Sequence, residues 1–212
     1  MNKIIVVDFG VGNLRSVIQS LKKVAPDADI KISNEPNLIL NADRIVLPGQ
    51  GAMPDCMKSL KIKNLNDVLF EVLKNKPLLG ICIGLQILFD YSNEGNTNCL
   101  GFISGKVNKF DLKGKKQPDG SLYKVPQIGW NNVTQIKSHP MWIDIPDNSF
   151  FYFIHSYFVE PLERNIEVGQ TCYGKSFCSA ISYENIFATQ FHPEKSALVG
   201  LQLYKNFVNW RP

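Results

Sequence analysis

Ile4-Ile5-Val6-Val7 is apolar at every position, and a strand with no polar face is stable only in a sheet covered on both sides. The run stops at Asp8, and after a glycine-rich turn Leu14, Val17, Ile18, Leu21 and Val24 recur at helical spacing. Asp29 to Ile32, Arg44 to Leu47 and Leu78 to Ile81 repeat the strand pattern, the second of them halted by Pro48-Gly49. Alternation of this kind over roughly the first ninety residues predicts an α/β fold with an open, mostly parallel sheet flanked by helices, whose functional groups gather at the strand carboxyl ends. From Gly101 onward the segments shorten and fill with Phe, Tyr, Val and Ile. Phe150 to Ile154 and Ile186 to Thr189 read as added strands, some antiparallel. Leu198, Leu201, Tyr204 and Val208 restore a helical period, so residues 1–212 predict one domain closed by a packing helix.

Composition excludes several functions. The chain of 212 residues is 44% hydrophobic and 20% charged. It has no run of about 18 apolar residues to span a bilayer, and Asp8 cuts the N-terminal stretch before a signal-peptide core is complete. The expected compartment is the cytoplasm. Cys56, Cys82, Cys99, Cys172 and Cys178 lie far apart without a Cys-x-x-Cys pair, so neither a zinc site nor a disulfide framework is expected. No spacing implies a metal or an organic cofactor. The net charge of +4 is modest, and no nucleic-acid-binding module is present. Lys106 to Lys124, with Lys113, Lys115 and Lys116, reads as a solvated loop. The turn Gly10-Val11-Gly12-Asn13 lacks the third glycine of a dinucleotide site, Arg15 standing in its place. It reads as a tight strand-to-helix connection, with Asn13 and Arg15 at its mouth free to face a ligand or partner.

The chemistry centres on Gly80-Ile81-Cys82-Ile83-Gly84, which has the layout of a nucleophile elbow with sulfur in place of the hydroxyl oxygen. Glycines two residues on either side permit close backbone approach and strained dihedrals. A helix beginning at Cys82 would favour the thiolate, and the Ile83 N–H would be free to meet an oxyanion. A thiol nucleophile needs a base, and the chain offers His139, His155 and His192. His192 follows the strand from Ile186 and so reaches the same rim as Cys82. Pro193 sets a helix start there, and Glu194 can reach back to hold the imidazole tautomer. His139, beside Pro140, reads as a surface residue in a turn.

Gly80 to Gln86 together with Thr189-Gln190-Phe191-His192-Pro193-Glu194 resembles the paired signature of class I glutamine amidotransferases. Val125 to Asn131, His155-Ser156-Tyr157 and Asp8 to Leu14 resemble, within that family, the glutaminase subunits of imidazole glycerol phosphate synthases. The resemblance covers essentially the whole chain and implies a flavodoxin-like sheet. It also implies hydrolysis of L-glutamine to glutamate and ammonia through a Cys-His-Glu triad. The ammonia would pass to a separate cyclase subunit, a (β/α)8 barrel bound as a heterodimer partner. That subunit makes imidazole glycerol phosphate and aminoimidazole carboxamide ribotide in L-histidine biosynthesis.

By the same resemblance Cys82 forms a γ-glutamyl thioester, His192 moves protons and Glu194 orients His192. Gln86, with the backbone of His155, Ser156 and Tyr157, holds the glutamine α-substituents, which makes His155 a pocket wall and not a base. Gly49, Gln50 and Gly51 with Ile83 stabilise the oxyanion, the peptide near Gln50 aligning once the partner is loaded with nucleotide. Asn13, Arg15, Trp130, Asn131, Tyr152 and Lys195 face the partner. Two positions depart from relatives: Gln50 replaces a small β-branched residue found in many, and Gln127-Ile128 replaces a His-Met pair found in some. Three other readings stay open at this point: a paralogue feeding another synthase, such as one amidating a surface sugar, a stand-alone thiol γ-glutamyl hydrolase, and a silent scaffold.

Overall fold

The computed structural model describes residues 2–10 and 12–212, so Val11 of the glycine-rich turn lies outside the described residues. In chain order the strands are β1 (Lys3–Val7), β2 (Asp29–Ser33), β3 (Arg44–Gly49), β4 (Leu78–Cys82), β5 (Phe89–Ser92), β6 (Thr97–Asn98) and β7 (Ile103–Lys109). They continue with β8 (Gln127–Gln135), β9 (Ser149–His155), β10 (Tyr157–Pro161), β11 (Glu167–Cys172), β12 (Ser176–Tyr183) and β13 (Ile186–Thr189). The helices are α1 (Leu14–Val24), α2 (Pro36–Leu40), α3 (Met53–Ile62), α4 (Asn66–Asn75), α5 (Ile83–Gln86) and α6 (Ala197–Asn209).

Strands β2, β1, β3, β4 and β13 lie side by side in that order and run parallel. Antiparallel β12 continues the sheet toward β10 and β7. The β8–β9 hairpin joins through β11. Consecutive strand residues point to opposite faces, and in β1 this divides the apolar run. Ile4 and Val6 enter one core with Val17, Leu21, Leu203 and Phe207 of α1 and α6. Ile5 and Val7 enter the other with Met53, Leu60, Leu69 and Val72 of α3 and α4. Burying each such side chain is worth roughly 1.5–3 kcal/mol, which is why β1 needs no polar face. No described helix is long and apolar enough to cross a membrane.

Several expectations are corrected. The helix expected to start at Cys82 is one turn, α5, and the chain enters β5 at Phe89. Ile83, Leu85, Ile87, Leu88 and Phe89 are all buried, so this stretch is apolar all round and has no helical face to extend. Pro48 and Gly49 do not stop β3. Its pairing with β1 ends at Val46 while pairing with β4 continues through Pro48 and Gly49, so the missing Pro48 N–H is not needed. Lys106 and Lys109 lie on β7, and the long loop begins after them. His139 is no surface residue. It is half-buried, caps a 3₁₀ turn by accepting the Met141 N–H, and packs on Phe187 and Trp210.

The registers Gly49↔Cys82 and Thr189↔Ile81 bring the ends of β3, β4 and β13 to one rim. That convergence places the site.

Candidate active site

Cys82 ends β4 with φ 56° and ψ −105°, a left-handed conformation costing on the order of 1–3 kcal/mol for a non-glycine residue. The strain therefore sits on the cysteine. The elbow glycines serve close packing instead: a methyl group at Gly84 would fall on the Leu47 carbonyl of β3. Gly51 does adopt positive φ, +116°, at the turn that follows β3. The Cys82 sulfur is 3.9 Å from the Ile154 carbonyl oxygen and 3.6 Å from Nε2 of Gln190.

His192 follows β13, with its backbone N–H donating to Tyr152 O at 2.9 Å. Its Nδ1 meets Glu194 Oε1 at 2.8 Å, and both side chains are almost wholly buried. Burial alone would push the imidazolium pKa down. The negative charge of Cys82, seconded by the hydrogen-bonded Glu194 carboxylate, outweighs burial and raises it to about 10. Nε2 feels the Cys82 charge without closing a hydrogen bond of ordinary geometry. Loose contacts of this kind are common between a base and its nucleophile before substrate binds.

A cavity of about 320 Å³ opens over Cys82 and Ile83. Gln50 and Gly51 lie on one side of it, and His155, Ser156 and Tyr157 on another. Gln86 Nε2 donates to Tyr157 O at 3.0 Å and to Gln190 Oε1 at 2.9 Å, while its Oε1 is buried without a partner. Both nitrogens of buried His155 are engaged, Nδ1 with Tyr157 O at 2.7 Å and Nε2 with Gln127 at 2.9 Å. Burial holds its pKa down at about 4. A neutral ring donates from Nδ1 to the carbonyl and leaves the Nε2 lone pair to the Gln127 carboxamide, so neither nitrogen is available to Cys82.

The other candidates divide. Asn13 caps α1, with Oδ1 accepting the Ser16 N–H at 3.3 Å and Nδ2 donating to Ser16 Oγ at 2.9 Å. Arg15 is exposed beside it. Asn131 Nδ2 donates to Cys172 O at 2.9 Å. Trp130 is 52% exposed, which rules out core packing, and meets the half-buried Tyr152 edge to face at 6.0 Å. Lys195 places Nζ 5.7 Å from the Tyr152 ring centroid and also lines the cavity. Glu94 lines the cavity too, its Oε2 accepting the Met53 N–H at 2.8 Å. Sequence reasoning passes over Glu94, which stands in a polar turn after β5 with no motif around it. Gln190 lies inside the His192 motif, where sequence alone gives it no role. Among the described residues no group of three or more His, Cys, Asp or Glu could hold a metal ion.

Residues 5–209 match the family described as glutamine amidotransferase class-I. The imidazole glycerol phosphate synthase subunit HisH of Aromatoleum aromaticum is 48% identical over 212 residues, 100% of both chains. The subunit of the same name from Nitrosospira multiformis is 49% identical, again over 100% of both. Among solved structures, a putative GMP synthase subunit from Thermoplasma acidophilum superposes with a TM-score of 0.70 at 21% identity, over 99% of this chain and 93% of its own. The structure of PurLQS from Thermotoga maritima gives a TM-score of 0.71 at 15% identity over 98% of each. These two speak to the fold alone. With the family model matched along nearly the whole sequence and relatives of about half identity aligned end to end, the chain belongs to the class-I glutamine amidotransferases and, within them, to the HisH subunits of imidazole glycerol phosphate synthase.

Proposed function

We propose that Cys82, His192 and Glu194 carry out the glutamine hydrolysis of this glutaminase subunit, with residues 1–212 acting as one domain. The observation that carries the assignment is the convergence of a strained cysteine and a buried His-Glu pair at a cavity of amino-acid size. The Cys82 sulfur attacks the side-chain carbonyl carbon of L-glutamine, and the carbonyl oxygen takes up negative charge. The Ile83 N–H and a peptide N–H of the Gly49-Gln50-Gly51 segment are the donors for that oxyanion. Imidazolium His192 gives its proton to the leaving nitrogen, and ammonia departs with formation of a γ-glutamyl thioester. Neutral His192 then takes a proton from water, which attacks the thioester, releases glutamate and returns the thiol. Glu194 holds His192 Nδ1–H throughout.

The α-substituents of glutamine lie between Gln86, whose free Oε1 accepts from the α-ammonium, and the backbone at His155, Ser156 and Tyr157. Glu94 supplies a countercharge to the ammonium. Ammonia leaves toward a cyclase subunit, a (β/α)8 barrel that covers the cavity mouth as heterodimer partner. Trp130, Asn131, Tyr152 and Lys195, with Asn13 and Arg15, form the receiving face. Support for that face is its apolar exposure: Ile128, Trp130 and Phe150 are each more than half exposed on β8 and β9. The five free thiols suit a reducing compartment, the cytoplasm.

A glutamine analogue with an electrophilic diazoketone in place of its carboxamide tests the site. It should label Cys82 alone, with L-glutamine protecting. Labelling of another cysteine, or of Cys82 without protection, contradicts the assignment.

A further inference from the structure

Gln190 is fully buried and directly follows β13, held there by its backbone N–H donating to Ser179 O at 2.9 Å. The orientation of its carboxamide follows from its neighbours. Tyr157 O can only accept, so Gln86 must turn its NH2 group toward it. The second hydrogen of that NH2 goes to Gln190, which must therefore present its oxygen at 2.9 Å. The Gln190 NH2 group is then left facing Cys82 Sγ at 3.6 Å.

The sulfur also lies 3.9 Å from the Ile154 carbonyl, an acceptor that favours the protonated thiol. A donor acts in the opposite sense, and donors to ionised acceptors are roughly twice as strong as neutral pairs. We infer that Gln190 is the hydrogen-bond donor that holds the Cys82 thiolate, in an orientation imposed by Gln86. Substrate recognition and nucleophile are thereby joined by one polar chain, Tyr157 O to Gln86 to Gln190 to Cys82. The inference rests on the reading of Cys82 as the nucleophile.

The titratable groups around Cys82 are His192 and Glu194 after β13, His155 at the end of β9, Tyr157 at the start of β10, Cys56 on α3, and Glu94 and Lys195 at the cavity rim. None is altered by a substitution at Gln190. A change in the pH dependence of Cys82 reactivity would therefore read the carboxamide.

The test is alkylation of the full chain by iodoacetamide from pH 5 to 10, with the rate at Cys82 followed by peptide mass spectrometry. Gln190→Met keeps the length and removes the donor, and Gln190→Asn keeps the amide but withdraws it by one methylene. In both, the pH of half-maximal alkylation should rise by about one pH unit. In the partner complex, kcat should fall roughly tenfold, with a smaller change in KM because Gln86 keeps its bond to Tyr157 O. Gln190→Glu retains an acceptor for Gln86 but sets a carboxylate against the sulfur, and should shift the profile further. An unchanged profile in Gln190→Met, or in Gln190→Asn should the Met variant fail to fold, overturns the inference. Cys82→Ala with glutaminase activity intact would overturn the nucleophile reading instead, so the two failures are distinguishable.

Discussion

His192, raised to about 10 beside Cys82 and Glu194, sets the alkaline side of the reaction. The imidazolium must donate to the leaving nitrogen, so glutaminase activity should persist until the pH approaches about 10. Glu194→Gln removes one of the two negative groups that raise His192, and the alkaline limb of the pH–rate profile should move down. A limb that stays in place would mean that Glu194 does not act on His192. Cys82→Ala should lower glutamine-dependent turnover of the complex by roughly 10⁴-fold or more while turnover on added ammonia survives. Loss of both would mean that the subunit does more than supply ammonia. Cys82, His192 and Glu194 were legible because each stands in a short motif whose spacing has a chemical reason. Glu94 was not, since only tertiary folding carries the turn after β5 to the cavity.

The elbow shows where one-dimensional reading loses the element. Glycine spacing correctly signals a tight strand-to-turn junction, but the left-handed residue is Cys82, and Gly84 is there because α5 presses on β3. Gly84→Ala should cost about 2–3 kcal/mol in chemical denaturation, since the obstructing atom is a backbone carbonyl that cannot rotate away. A variant as stable as the wild type would show that β3 and α5 can separate freely. The length of α5 was illegible for a related reason: a stretch buried on all sides has no period, so nothing in it distinguishes another helical turn from the approach to β5. Strands β1, β3 and β4 were legible as short apolar runs bounded by Asp, Gly or Pro, and β13 as a short apolar run between Asn185 and Gln190. The sequence could not say that Pro48 and Gly49 extend β3, because that depends on which neighbour requires the proline N–H.

Across the whole molecule, buried His155 and half-buried His139 make folding acid-sensitive. Burial holds His155 and His139 at about 4 against an ordinary 6.5. Below pH 6.5 the unfolded chain binds protons at these two positions that the native state refuses, so their contribution to stability is full above that pH and is lost as pH drops toward 4. His155, wholly buried, accounts for on the order of 3 kcal/mol of the loss, and half-buried His139 for less. His139→Asn can still accept the Met141 N–H and does not titrate, so its stability should fall less steeply over this interval in denaturant titrations. An equal slope would show that His139 is protonated in the native state without penalty. At this scale the parallel sheet and its functional rim were evident from alternating apolar runs, whereas the antiparallel path through β12, β10 and β7 depends on pairings far apart in sequence. The largest consequence is the proposed partner face, where the exposed aromatic edge of β8 and β9 adjoins the His192 loop through the Tyr152 carbonyl. Glutamate release from glutamine, measured for the purified chain alone and with the cyclase barrel plus its nucleotide, bears on that face and on the triad together. Strong stimulation by the loaded barrel is the predicted result, and equal rates with and without it would contradict a glutaminase gated by its partner.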